Sequence, residues 1–212
     1  LAQALVEEGG LSPEAPERDA ADKTVLVSGA SGGVGTAALQ QAHAMGARVV
    51  ALTRSAAKRK KLMELGADFV FDVADPELVD KVRAALRGGQ VDVVVDNLSG
   101  PYLDTWIALT GFKGRICTVG MLAGVNVNFN IGKMIFKRIH ICGIAAGSQT
   151  PAQARAAFDR LVALFARAGA RPLVDKVFSF DQVQEAFAYM QRGPMGKVVV
   201  GPIGRQAAAP VS

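Results

Sequence analysis

The chain has 212 residues, of which 50% are hydrophobic, 20% charged and 6% aromatic, and its formal net charge is +5. This aliphatic content excludes an intrinsically disordered chain, and the presence of only two cysteines excludes a small disulfide scaffold. The longest uncharged stretch, residues 116–132, is interrupted by glycines and asparagines, which excludes it as a membrane span. A basic charge with few aromatic rings favours a small anionic ligand over single-stranded nucleic acid, which stacks its bases on such rings.

The chain begins with a predicted helix and linker, residues 1–21, and then alternates between short apolar strands and helices. Strands are predicted at 23–28, 48–53, 68–72, 91–96, 115–119 and 138–143, with helices at 34–45, 56–65, 76–86, 102–109 and 131–136. Wholly apolar strands are typical of a sheet that is buried on both faces, and helical crossovers make its strands parallel. The sequence therefore predicts an α/β fold with a doubly wound, parallel, six-stranded sheet.

The regular alternation of strands and helices ends after a long predicted helix at 152–168. A strand at 174–180, a helix at 181–191 with Asp181 as its N-cap, and a strand at 197–200 precede a loose tail, 202–212. These patterns divide the chain into a sheet domain, 22–170, and a C-terminal segment, 171–201.

A glycine-rich turn, Ser28–Gly35, lies directly between the first strand and its helix. Against the G-x-G-x-x-G pattern, Ala30 holds the first position, Gly32 the second and Gly35 the third. A glycine at the second position lets a pyrophosphate approach the backbone, and one at the third lets the helix pack close to the strand. With a strand before and a helix after, the turn predicts a dinucleotide-binding Rossmann domain rather than a turn that only needs positive φ. Candidate binding residues here are Ala30, Ser31, Gly32, Gly33 and Val34.

The end of the second strand indicates which dinucleotide is bound. An NAD site usually has Asp or Glu there to accept a hydrogen bond from the ribose 2′-hydroxyl. This chain has Thr53, Arg54 and Ser55, followed one turn later by Lys58. Hydroxyl, guanidinium and ammonium groups suit a 2′-phosphate, so the sequence predicts NADP(H), whereas residues 59–61 are interpreted as a solvated helix face.

Six motifs of the chain are Val25–Gly35, Leu65–Asp68, Val91–Asn97, Gly114–Gly120, Phe180–Phe187 and Gly196–Val200. Together they resemble the medium-chain dehydrogenase/reductase superfamily, in its quinone oxidoreductase and zinc-binding-dehydrogenase-like branch. The pattern of the short-chain dehydrogenases does not fit, because neither Tyr102 nor Tyr189 is followed by Lys four residues later.

The resemblance implies further cofactor contacts. Lys197 would reach the pyrophosphate with Gly32, Gly33 and Val34, while Arg54, Ser55 and Lys58 would bind the 2′-phosphate. Asn97 would lie near a ribose, and the nicotinamide would be lined by Val119, Gly120, Met121, Ile144 and Ala146. As alternatives, Val119 and Ile144 belong to the core and Lys197 is a solvated lysine.

The resemblance also implies a function and an organisation. The chain is expected to be the NADPH-binding portion of an oxidoreductase that transfers a hydride to a quinone or to an activated C=C acceptor. In such proteins a GroES-like catalytic half precedes this region, and residues 171–201 would be trailing segments of that incomplete catalytic domain. A stand-alone, non-catalytic NADPH-binding module is the alternative, and a nucleic-acid binder has only the charge in its favour.

The remaining chemistry-bearing residues are few. Cys117 and Cys142 lie in predicted strands, which favours reduced thiols of a cytoplasmic protein. With these cysteines, His43 and His140 do not form a zinc site at any usual spacing, so no metal is expected. In the family, the sixth strand commonly pairs with a second copy, so a homodimer through Arg138–Gly143 is also expected.

Overall fold

The computed structural model describes residues 3–11 and 23–202. The predicted linker, residues 12–21, and residues 203–212 of the predicted tail lie outside the described residues. Where a leading helix is predicted, Gln3–Glu7 forms a single π-helical segment. Ala4 and Leu5 of this segment are fully buried in the core, so it packs as an amphipathic element.

The predicted six-stranded parallel sheet is confirmed, with the strand order β3-β2-β1-β4-β5-β6. Its strands are β1 (Thr24–Val27), β2 (Arg48–Leu52), β3 (Phe69–Phe71), β4 (Val91–Asp96), β5 (Thr110–Thr118) and β6 (His140–Gly143). The chain winds outward from β1 in one direction and then from β4 in the other. The strand order therefore reverses between β1 and β4, the position where a crevice opens at the carboxyl ends of such sheets.

Helices cover both faces of the sheet and bury its apolar strands. They are α1 (Gly33–Ala44), α2 (Arg59–Glu64), α3 (Leu78–Ala85), α4 (Leu103–Leu109), α5 (Ile131–Lys137) and α6 (Pro151–Ala168). Side chains alternate along a strand, so Val25 and Val27 belong to one core cluster and Leu26 to the other. This two-sided burial explains why the consecutive residues Val25, Leu26 and Val27 of β1 are all apolar.

Several predicted boundaries inside the sheet domain are wrong. The sixth strand begins at His140 rather than at residue 138, and the helix predicted from residue 56 starts as a 3-10 turn, Ala56–Lys58, before α2. The helix predicted from residue 76 begins at Leu78, because the Asp75 carboxylate accepts a hydrogen bond from Glu77 N (2.9 Å) and forms a turn first. The fifth strand begins at Thr110 rather than at residue 115. Its pairing with β4 shifts register there, and Gln90 Oε1 accepts from Phe112 N (3.0 Å) within the bulge.

A buried carboxylate organises the end of β4. Asp96 is fully buried, and its Oδ1 accepts hydrogen bonds from Ser28 Oγ (3.2 Å), Ser99 N (3.0 Å) and Trp106 Nε1 (3.0 Å). Trp106 is also fully buried. Asp96 thereby connects the start of the glycine turn to the loop after β4 and to α4, which fixes one side of the crevice.

The C-terminal segment forms a small parallel pair of strands around a helix. These elements are β7 (Val174–Ser179), α7 (Val183–Gln191) and β8 (Lys197–Gly201). The expected Asp181 N-cap is wrong, because Ser179 and Gln182 form a capping box that starts a 3-10 turn ahead of α7. Phe180, Phe187 and Met190 are exposed on this segment. None of the described helices combines the length and the apolar character needed to cross a bilayer.

Candidate functional site

A cleft of about 640 Å³ opens at the carboxyl ends of the central strands, where the strand order reverses. The glycine turn after β1 forms its floor, the residues that follow β2 form one side, and Leu98 after β4 forms another. Of the predicted site residues, the cleft brings together Ser31, Gly32, Thr53, Arg54, Ser55 and Lys58. These residues belong to the turn and to the end of the second strand, which are the two positions that the sequence analysis singled out.

The glycine turn presents free backbone donors to this cleft. The first hydrogen bond of α1 runs from Thr36 N to Gly32 O (2.8 Å), so the amides of residues 33–35 precede the helical ladder. Gly32 is the N-cap residue of α1, and it has no side chain that could accept hydrogen bonds from these amides. A Cβ on Gly32 would make only an ordinary van der Waals contact with Gly29 O, at 3.5 Å, and Gly32 lines the cleft, so a ligand can approach its backbone there. The turn therefore offers a cradle for an anion at the positive end of the helix dipole.

Of the two neighbouring glycines, Gly35 is required by packing against the backbone of the turn, whereas Gly33 faces the flexible side chain of Lys197. A Cβ on Gly35 would lie 2.2 Å from Gly29 O and 2.6 Å from Ala30 Cα, so α1 approaches the turn as closely as a glycine allows. A Cβ on Gly33 would lie 2.5 Å from Lys197 Cδ. The stem of Lys197 therefore lies over the first turn of α1, where the resemblance implies a pyrophosphate.

The side of the cleft beyond β2 is basic and hydrogen-bonded to the turn. Thr53 Oγ1 lies 3.3 Å from Ser31 Oγ and accepts a hydrogen bond from Ser55 N (3.2 Å). Lys58 Nζ donates to the carbonyl oxygens of Gly193 and Pro194. Because an ammonium group has three hydrogens, one donor of Lys58 remains for a ligand.

Arg192 is a cleft residue that the sequence analysis missed. It follows α7 and lines the cleft together with Gly193 and Pro194, so that Arg54, Lys58 and Arg192 share one cavity. None of the described residues that line this cleft is Asp or Glu. The available signal was a basic residue followed by glycine and proline between the last two motifs, but the sequence did not indicate that this loop folds against Lys58.

The cleft also has an apolar wall that the sequence analysis did not predict. It is formed by Leu52, Val73, Leu98, Tyr102, Leu122 and Ala123. Leu122 is 84% exposed, so a large apolar side chain stands at the cleft with little protein around it. The cavity therefore combines an apolar side with a cationic side, an arrangement suited to a ligand with a flat ring and an anionic group.

Several predicted residues near the turn lie outside the cleft. Ala30 is fully buried and donates its N–H to Leu52 O (2.9 Å). Val34 is half-exposed on α1, and the side-chain amide of Asn97 is buried and donates to Ser28 O (2.7 Å). Their proposed contacts with a dinucleotide remain predictions.

The residues expected near a nicotinamide follow β5 and β6. Val119 N and Gly120 N donate to Asp96 O (2.7 and 3.1 Å), which ties this loop to the end of β4. Met121 is exposed, and Ile144 packs partly buried against the core. Ala146 begins a 3-10 turn, and its side chain is outside the described part of the structure. A role for this group also remains a prediction.

The two cysteines are adjacent but poorly suited to chemistry. Cys117 on β5 and Cys142 on β6 are register partners, and their Sγ atoms lie 3.5 Å apart. Both are free thiols, and burial raises the pKa of each, so they stay protonated at neutral pH and are weak nucleophiles. His43 and His140 are exposed on separate elements.

The strand order, the glycine turn and the cleft at the reversal point define a Rossmann-type domain. The sequence profile described as zinc-binding dehydrogenase matches residues 33–167. The chain belongs to this family, which confirms the predicted resemblance to the quinone oxidoreductase-like branch of the medium-chain dehydrogenase/reductase superfamily.

Known proteins resemble nearly all of the chain. It is 27% identical over 185 residues to the quinone oxidoreductase of Rattus norvegicus, covering 86% of this chain and 56% of that protein. It is 31% identical over 181 residues to the acryloyl-coenzyme A reductase of Metallosphaera sedula, covering 84% and 50%. The Escherichia coli quinone oxidoreductase, crystallised with NADPH, shares the fold with a TM-score of 0.75 at 23% identity, covering 92% and 63%.

The chain spans about half the length of the curated relatives it matches, at 56% and 50% of the two named here. The family description mentions zinc, yet among residues 3–11 and 23–202 no three His, Cys, Asp or Glu side chains form a group that could hold a metal ion. The described residues therefore do not fit a zinc site.

Proposed function

We propose that this chain is the NADP(H)-binding part of an oxidoreductase. The observation that carries the proposal is the cleft at the reversal of strand order, which is lined by Arg54, Lys58 and Arg192 and by no described carboxylate. A site that prefers NAD would have an acid at the end of β2 to bind the ribose 2′-hydroxyl. The cations at this position instead complement a 2′-phosphate.

Each part of the cleft has a separate binding role in this proposal. The amides at the start of α1 hold the pyrophosphate, and Gly32, which lines the cleft and has no side chain, lets it approach. The planar guanidinium groups of Arg54 and Arg192 bind the 2′-phosphate through paired hydrogen bonds, and Lys58 adds its remaining donor. When bound, the nicotinamide supplies the hydride, and the protein holds and orients it.

The proposed acceptor is a quinone or an activated C=C bond, as in an enone or enal. The names of the rat quinone oxidoreductase and the Metallosphaera acryloyl-coenzyme A reductase state these two acceptor classes, which supports the proposal. We propose that Val119, Gly120 and Met121, with Ile144 and Ala146, form the nicotinamide side of the site. A cytoplasmic location is part of the proposal, and cell fractionation tests it.

A calorimetric titration of the chain with NADPH and with NADH tests the proposed function. NADPH is expected to bind at least about tenfold more tightly, because a hydrogen bond to a charged group contributes about 1.5–3 kcal/mol. Equal or tighter binding of NADH contradicts the proposal. Binding of oligonucleotides that NADPH does not displace would instead support a nucleic-acid-binding role.

We further propose a homodimer formed through β6. Within the described residues this strand pairs only with β5, and His140 and Ile141 are exposed along it. An edge strand with free backbone groups can continue the sheet into a second copy, whereas a lysine on such an edge opposes pairing.

Sedimentation at micromolar concentration is expected to show a dimer, and Ile141→Lys is expected to raise its dissociation constant at least about tenfold. Val162→Lys provides a matched control, because Val162 is also an exposed, β-branched apolar residue but lies on α6. A clean monomer for the unsubstituted chain, or equal effects of both substitutions, contradicts pairing through β6.

A further inference from the structure

The loop between α7 and β8, residues 192–196, crosses from the C-terminal segment to the cleft. Two of its glycines, Gly193 and Gly196, have positive φ (70° and 84°), which allows the tight path of the loop. A Cβ on Gly196 would also lie 2.4 Å from Leu173 O. The loop presents Arg192 to the cleft, so its position determines where that guanidinium lies.

Contacts hold this loop at three points. On the sheet domain, Lys58 Nζ donates to the carbonyl oxygens of Gly193 and Pro194, and Gly196 N donates to Ser31 O (3.0 Å). The third point is Asp175 on β7, whose Oδ1 accepts a hydrogen bond from Met195 N (3.2 Å). The first two contacts join the loop to the cleft residues themselves, whereas Asp175 holds it from outside the cleft.

A tyrosine orients the Asp175 carboxylate. Tyr189 OH donates to Asp175 Oδ2 (2.5 Å), so both oxygens of the carboxylate are used. This hydrogen bond raises the pKa of Tyr189, and the phenol therefore stays protonated and able to donate around neutral pH. Tyr189 and Arg192 also line one small pocket of about 200 Å³, which places the tyrosine beside the start of the loop.

We propose that Asp175 is a positioning residue that determines selectivity for the 2′-phosphate by holding the loop 192–196 against Lys58. This inference rests on the proposed function, since it assigns Arg192 and Lys58 to that phosphate. Asp175 acts through the Met195 amide, and Tyr189 fixes the orientation of its carboxylate.

The sign of the effect separates positioning from simple electrostatics. Removing a carboxylate close to a basic cleft strengthens anion binding when only through-space charge matters. Removing a carboxylate that positions the loop weakens the binding of the phosphate-bearing dinucleotide, because Arg192 and the carbonyl partners of Lys58 lose their fixed geometry.

The test is a calorimetric titration of Asp175→Ala and Tyr189→Phe with NADPH and with NADH. Asp175→Ala is expected to raise the NADPH dissociation constant by about tenfold and to change that of NADH less than about twofold. Tyr189→Phe is expected to shift the ratio in the same direction by a smaller factor. Asp181→Ala is the charge-matched control, an exposed carboxylate of the same segment that lines neither pocket.

The outcomes separate this inference from the proposed function. When the unsubstituted chain prefers NADPH but Asp175→Ala keeps or increases that preference, the positioning role is wrong and the proposed function stands. When the unsubstituted chain shows no preference for NADPH, the proposed function itself is wrong. Hydrogen exchange at the Met195 amide, expected to accelerate in Asp175→Ala, provides a readout without any dinucleotide, and unchanged protection contradicts the inference.

Discussion

Arg54→Asp is expected to raise the dissociation constant for NADPH at least about 100-fold while changing that for NADH less than about threefold. Arg54 is exposed at the end of β2 and lines the cleft. The substitution removes a charge-assisted hydrogen bond and places a negative charge against a phosphate. It also supplies the acid that NAD sites use to accept the ribose 2′-hydroxyl, so NADH does not share the loss.

Lys60→Asp is the matched control for this experiment. It changes the net charge by the same amount, but Lys60 is an exposed residue of α2 that does not line the cleft. Its effect on NADPH binding is expected to stay below about threefold and to decrease with added salt. Similar losses for the two substitutions would mean that overall charge, rather than the position of Arg54, attracts the dinucleotide.

Gly35→Ala is expected to destabilise the chain by at least about 3 kcal/mol in urea unfolding. Alanine gains about 1 kcal/mol over glycine inside a helix, but its Cβ would lie 2.2 Å from Gly29 O and 2.6 Å from Ala30 Cα. Both atoms belong to the backbone of the glycine turn and cannot rotate away. The steric cost therefore exceeds the gain in helix propensity.

Gly32→Ala tests the other role of the turn. Its Cβ would lie 3.5 Å from the nearest protein atom, and the backbone at φ −78° and ψ 170° accepts any residue. The free energy of unfolding is expected to change by less than about 1 kcal/mol, whereas the NADPH dissociation constant is expected to rise at least about tenfold. Unfolding free energies that are equal for both alanine variants would contradict the packing role of Gly35, and undiminished binding to Gly32→Ala would contradict the open cradle.

The sheet was predictable because short runs of consecutive residues identify its strands and turns. Val25, Leu26 and Val27 are consecutive apolar residues that serve two cores on opposite faces, and the glycines that follow them mark the turn. The early start of β5 was not predictable in the same way. Thr110 and the bulge after it depend on Gln90, which lies in the loop before the partner strand β4. The residues around Thr110 alone therefore do not predict that it pairs with β4.

The sequence predicted the side of the cleft that is formed by the glycine turn and the residues after β2. In a doubly wound sheet, the residues that follow the strand next to β1 lie beside the glycine turn. Arg54 and Lys58 both follow that strand, β2. Arg192 was missed because the loop that carries it reaches Lys58 across 135 residues of sequence. The contact is made by the backbone carbonyl oxygens of Gly193 and Pro194. Every residue has such an oxygen, so the residue types do not indicate the contact.

Chemical-shift mapping of the chain with NADPH and NADH tests most directly the claim that this cleft binds the 2′-phosphate. The amides of residues 31–35 are expected to shift with both dinucleotides, because the pyrophosphate is common to them. The signals of Arg54, Lys58 and Arg192 are expected to shift strongly with NADPH alone. Identical maps for the two dinucleotides, or shifts that avoid the glycine turn, would contradict the account.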